Sequence, residues 1–191
     1  MSWADFLKDQ KRWTLIMIVV LSLGTGWTFL SRLPPAAANA AEQIATPREG
    51  FAAPDFTLDL LGGGNITLSE LRGKPVVVNL WASWCPPCRA EMPAIQKAYQ
   101  DYKDLGLVVL GVNTTNQDNE ADAAAFVREF GLTFPIPLDR DGSVSVRYEL
   151  RGLPTTFFID RKGIIRSVVV GGPMSEAVIR SKVEDLLKEM P

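Results

Sequence analysis

The 191 residues contain two cysteines, Cys85 and Cys88, set in the run Trp84-Cys85-Pro86-Pro87-Cys88. Two residues between them leave the thiols close enough to close a disulfide on each other. A thiolate on the first can attack a foreign disulfide, and the second can resolve the mixed disulfide that results. The pair follows an apolar run, Val76-Val77-Val78-Asn79-Leu80-Trp81, and precedes a helical stretch from about Pro86 to Tyr102. The start of a helix offers unpaired N–H groups and partial positive charge, and both favour a thiolate on Cys85. The chemistry expected is thiol–disulfide exchange, with Cys85 attacking and Cys88 resolving. The plainer alternative is a pair of buried, inert cysteines.

Composition removes many rivals. No histidine is present, so this chain alone builds no His-dependent triad, His metal site or His-ligated haem. Two cysteines cannot make a disulfide framework or a Cys-rich zinc site. Covalent haem attachment needs His after the second Cys, where Arg89 stands. Copper carriers of related fold add a distant His. A peroxidase of the peroxiredoxin kind carries Thr or Ser three residues before its reactive Cys, where this chain has Ala82. The net charge of −2 and the lack of a basic stripe speak against nucleic-acid binding. No cofactor or metal is called for beyond the redox-active Cys85–Cys88 pair.

The front of the chain has a separate task. Residues 13–31 carry no charge and are mostly apolar; as a helix they would reach roughly 28 Å, against ~30 Å of bilayer hydrocarbon. Lys8, Lys11 and Arg12 precede the stretch and Arg32 follows it alone. The positive-inside rule then places residues 1–12 in the cytoplasm and the rest of the chain across the membrane. Ala38-Asn39-Ala40 fits a signal-cleavage site, so removal after Ala40 is the alternative to a retained anchor. The length of the apolar stretch favours the anchor. Residues 32–50, rich in Ala and Pro, read as a spacer.

Residues 51–191 alternate strands and helices. Phe56-Thr57-Leu58 and Ile66-Thr67-Leu68 flank a Gly-rich turn, as in a hairpin. Val76–Trp81 and Leu107–Val112 read as buried strands. Ala121–Phe130 reads as a helix, with Ala125, Phe126 and Phe130 at helical spacing. Thr155–Ile159 and Ile164–Val170 read as strands joined by a turn at Asp160–Gly163. A last helix, capped by Ser175, should bury Val178, Ile179, Val183, Leu186 and Leu187. The fold class expected is α/β, with a central mixed sheet flanked by helices.

The stretch from Val77 to Pro93 around the cysteine pair, together with Gly152-Leu153-Pro154-Thr155-Thr156-Phe157, resembles the TlpA/ResA family of thioredoxin-like oxidoreductases. The similarity runs from about Gly50 to the C-terminus and includes an extra segment around Val112 to Asp141 that plain thioredoxins lack. The resemblance implies a thioredoxin-like fold, a membrane anchor and a reductant acting outside the cytoplasm. It implies exported thiol proteins as substrates, apocytochrome c among them, and a membrane-embedded thiol donor of electrons. Pro154 matches the cis-proline that faces the disulfide, and with Leu153, Trp84, Pro86 and Pro87 it would border the substrate. Glu91, three residues after Cys88, matches an active-site Glu of many relatives and could exchange the Cys88 proton; the alternative is a solvent-facing Glu. Asn79 stands where thioredoxin has a buried Asp and is expected to serve as a hydrogen-bonding residue.

Direction of electron flow is also expected from the dipeptide. Pro86 and Pro87 have no N–H, leaving Cys85 mainly those of Cys88 and Arg89. Weak stabilisation of the thiolate favours the disulfide form and a reducing protein. The competing readings are a DsbA-type oxidant and a non-enzymatic tethered protein that holds a client or Cu(I).

Overall fold

The computed structural model describes residues 14–23 and 45–188. Residues 14–23 are helical with exposed side chains. Among the described residues no helix is long and apolar enough to cross a membrane. The rest of the 13–31 stretch, residues 1–12 and the cleavage motif at Ala38–Ala40 lie outside the described residues.

Residues 45–188 form around strand β3, Val76–Trp81, whose six residues are all buried. Successive side chains of a strand point to opposite faces. Val77 and Trp81 enter one apolar cluster, while Val76, Val78 and Leu80 enter another. A strand buried on both faces must be central and covered on both sides. The sheet order is β4-β3-β5-β6, with β4 Val108–Asn113, β5 Thr155–Ile159 and β6 Ile165–Val170. β3 runs parallel to β4 and antiparallel to β5, and β5 is antiparallel to β6. This is the mixed sheet expected from the alternating pattern.

Helix α1, Pro86–Tyr102, follows β3 at once and packs on the last helix, α4, Glu176–Lys188. Met92 and Ile95 of α1, Phe126 of α2 (Glu120–Phe130), and Ile179, Val183 and Leu186 of α4 fill the first cluster. The second holds Phe157 and Ile159 with Val144 and Tyr148. The hairpin β1–β2, Thr57–Asp59 with Asn65–Thr67, adds Leu58 to that cluster.

Several expectations need correction. Val178 is 42% exposed, because the inward face of α4 is narrower than its apolar composition suggests. Ala125 is exposed and Ala123 takes the buried place on α2. Strand β4 starts one residue later than Leu107, which is buried ahead of it. A short helix α3, Ser143–Arg147, was not anticipated. It is held by Asp139, whose buried carboxylate accepts from the N–H groups of Val144 and Ser145 and from Ser145 Oγ. Ser175 Oγ accepts from Val178 N at 3.3 Å, the cap expected of it.

Candidate active site

Cys85 is the N-cap of α1, and Pro86 and Pro87 open the first turn. Proline fits there because its missing N–H would have no helical partner. Cys85 and Cys88 form a disulfide with Cα atoms 5.3 Å apart. The Cys88 N–H donates to Cys85 Sγ at 3.2 Å. The Arg89 N–H, expected to serve the same sulfur, donates instead to the Cys85 carbonyl at 3.1 Å. The helix hydrogen-bond ladder takes that donor, so one backbone amide is seen to reach the sulfur.

The residues before the pair are tied to the loop after β4. Trp84 is 56% exposed and its indole Nε1 donates to the Gln117 carbonyl at 2.9 Å. Asp118 accepts from both Ser83 N and Ser83 Oγ at 2.7 Å. It also accepts from Asn113 Nδ2 at 2.8 Å and Asn119 N at 2.9 Å. Partial burial pushes its carboxyl up, but these donors outweigh that and hold it below the usual carboxylate range. Sequence reasoning missed Asp118. The Asp118-Asn119 pair reads as the start of a helix, and Asn119 is indeed the cap of α2.

Beneath the helix start lies a polar pocket. Glu91, one turn beyond Cys88 on α1, is fully buried rather than solvent-facing. Its carboxylate accepts from Asn79 Nδ2 at 2.9 Å and from Met174 N at 3.0 Å. Burial raises its pKa above the ordinary value, and those two hydrogen bonds oppose the rise without cancelling it. Asn79 Nδ2 also donates to Thr156 Oγ1 at 2.8 Å, while its Oδ1 is buried without a partner. Asn79 thus spends its amide donors on one acid and one hydroxyl.

The Leu153–Pro154 peptide is cis, as the resemblance implies. Pro154 is buried, and its carbonyl accepts from Gly171 N at 2.8 Å. The next residue, Gly172, went unnoticed in the sequence. A Cβ at Gly172 would meet Glu91 Oε2 at 2.7 Å and Pro154 Cγ at 2.9 Å. Only a residue without Cβ lets the chain pass between acid and proline. Trp84, Pro86, Pro87 and Leu153 line a cleft of about 300 Å³ that opens on Cys85. Trp81, by contrast, is core, its ring tilted 34° against that of Phe126 with centroids 4.4 Å apart. A strand-to-helix junction carrying a disulfide, a cis-proline loop and a buried acid together suit exchange of electrons between thiol pairs.

Comparison with known proteins agrees with that chemistry. The AhpC/TSA family matches residues 50–168. The chain is 36% identical over 163 residues to "Thioredoxin-like protein YneN" of Bacillus subtilis, covering 84% of this chain and 91% of that one. It is 36% identical over 178 residues to "Thiol-disulfide oxidoreductase ResA" of Halalkalibacterium halodurans, covering 93% and 96%. Among solved structures, the thioredoxin domain of a thiol-disulfide oxidoreductase from Bacteroides vulgatus superposes with a TM-score of 0.66 at 28% identity, covering 74% of this chain and 99% of that one. The chain belongs to the AhpC/TSA family and is a thioredoxin-like thiol–disulfide oxidoreductase of the ResA kind.

Proposed function

We propose that this oxidoreductase works as a reductant of disulfides in exported proteins, with Cys85 as the attacking thiol and Cys88 as the resolving one. The Cys85 thiolate attacks a client sulfur; the client S–S bond breaks, a mixed disulfide forms and one client thiolate leaves. Cys88, losing its proton, then attacks Cys85 Sγ and frees the second client thiol. Two electrons pass to the client and the Cys85–Cys88 disulfide is left. Glu91 as a carboxylate would take the Cys88 proton, since it lies one turn along the same helix. Trp84, Pro86, Pro87, Leu153 and Pro154 would border the bound client. The disulfide itself is the redox group, and no further cofactor enters.

The observation that carries the reducing direction is the scarcity of donors at Cys85 Sγ. Cys88 N donates to it, Pro86 and Pro87 have no N–H, and the Arg89 N–H serves a carbonyl. A strong oxidant owes its potential to a stabilised reduced form. This site provides little of that stabilisation. Equilibration with dithiothreitol or glutathione buffers should give a potential nearer roughly −270 mV than roughly −120 mV. A value above about −150 mV would replace the reductant with a DsbA-type oxidant.

The setting follows from the front of the chain. Residues 13–31 would be a retained single-pass anchor, residues 1–12 cytoplasmic, 32–50 a spacer, and 51–191 the extracytoplasmic catalytic domain. Clients would be exported thiol proteins, apocytochrome c among them, and electrons would come from a membrane thiol donor. Protease added from outside to cells with a permeabilised outer layer should digest the domain. Digestion only after lysis would refute this topology.

A further inference from the structure

The cleft at the disulfide does not end there. Its walls at Gln117 and Leu150 are shared with a second hollow of about 390 Å³, lined by Asn116, Ser145, Val146 and Glu149. The two make one groove, running from Cys85 between the β4–α2 loop and the turn after α3. Both walls are fixed. Gln117 is held through its carbonyl by the Trp84 indole, and the adjoining Asp118 by Ser83. On the other wall, Leu150 N donates to Ser145 O at 2.9 Å and Glu149 N to Val146 O at 3.0 Å. Val146 is 79% exposed on this rim.

Charge along the groove is uneven. Among the described residues, Arg151 is the one charged side chain lining the stretch that contains the disulfide. It is 79% exposed and lies 3.7 Å from Glu149, which Arg48 also approaches at 3.8 Å. Arg151 and Arg48 thus share one carboxylate, and neither has it to itself. A pair this exposed and long is weak, so Arg151 is open to a better-placed anion. Glu149 has φ 48, a left-handed backbone conformation uncommon outside glycine. Asp118 adds no competing acceptor, since its oxygens already serve Ser83, Asn113 and Asn119.

We propose that this groove seats the client segment beside its reactive cysteine, and that Arg151 selects clients carrying a carboxylate close to that cysteine. The proposal rests on the oxidoreductase reading and names the substrate class of the same site. Continuity with the disulfide decides the occupant: a polypeptide that delivers a sulfur to Cys85 enters the cleft lined by Trp84 and Leu153, and the groove extends that cleft.

The test uses the full chain in its reduced form and three synthetic peptides, each with a central cysteine held as a mixed disulfide with glutathione. They differ only in Asp, Ala or Lys placed two residues from the cysteine. At low salt the second-order rate constant for single-turnover reduction of the Asp peptide should exceed that for the Lys peptide by about fivefold. The ratio should shrink toward one at high ionic strength. Arg151→Ala should bring the ratio close to one, and Arg151→Glu should invert it. Lys188→Glu, outside the groove, should leave the ratio as it is. A wild-type ratio of one, or a preference that both Arg151 variants retain, overturns the proposal while the activity stands. No exchange with any of the three peptides overturns the activity itself and the proposal with it.

Discussion

Asn79 Nδ2 donates to Glu91 Oε1 across 2.9 Å, joining two fully buried side chains from β3 and α1. The bond favours the charged carboxylate, yet burial outweighs it and the Glu91 pKa stands above its ordinary value of 4.5. The sign for stability follows. A raised carboxyl pKa stabilises the fold in the protonated form, fully below about pH 4.5, and that contribution is lost as pH rises through the folded value. Glu91→Gln cannot ionise and should remove this loss. Urea unfolding of the oxidised protein from pH 4 to 8 should therefore show the variant gaining on wild type as pH rises. Parallel curves would mean that Glu91 does not titrate differently in the fold.

The same residue should show in the kinetics. If Glu91 takes the Cys88 proton, Glu91→Gln slows the resolving step near neutral pH and shifts its pH–rate profile to higher pH. A positioned general base contributes about 10²-fold or more. An unchanged profile would leave Glu91 as a packing residue only.

The two cysteines are distinguishable by trapping. Cys88→Ala leaves an attacking thiol with no resolving partner and should accumulate mixed disulfides with clients. Cys85→Ala should accumulate none. Non-reducing electrophoresis of each variant, after acid quenching, reads the difference. The opposite pattern would exchange the roles.

Asp118 should matter although it touches no cysteine in the described contacts. Asp118→Asn puts an NH₂ group where an oxygen now faces donors from Ser83 and its neighbours. The expected cost is about 1–3 kcal/mol, measured by thermal or urea unfolding. The carboxyl is held below its ordinary 3.8, so its contribution is present above that value and lost as pH falls through the lower folded one. The gap between wild type and variant should therefore narrow in acid. A gap that widens in acid would contradict the hydrogen-bonded carboxylate.

Much of this site is legible in the chain, and the reason is locality. The buried run Val76–Trp81, the cysteine pair and the helical stretch from Pro86 are contiguous, and each reports on its neighbours. What escaped depends on distant partners. Glu91 sits on the same helical face as Cys88, but its burial is decided by Met174, 83 residues on. Asp118 meets Ser83 across 35 residues. Helix α3 depends on the buried Asp139 more than on apolar periodicity. The anchor expected over residues 13–31 rests on composition and flanking charge, with residues 14–23 helical in the described part.

Gly172 provides the sharpest steric test. The chain there passes between Glu91 Oε2 and the Pro154 ring, at 2.7 Å and 2.9 Å from where a Cβ would lie. Neither neighbour yields easily. Glu91 is held by Asn79 and Met174, and the Pro154 ring is rigid. Gly172→Ala must displace the acid, the proline or the loop itself, and overpacking of this kind costs about 1–3 kcal/mol. If Glu91 handles the Cys88 proton and Pro154 borders the client as proposed, the exchange rate should fall together with stability. Gly152→Ala is the comparison: a Cβ there meets nothing within 4 Å and its φ is not left-handed. It should leave the unfolding midpoint unchanged or raise it slightly, since alanine restricts the unfolded chain. Equal midpoints for the two variants would show that the loop at Gly172 has room to shift, and the close passage between Glu91 and Pro154 would then not be what requires glycine.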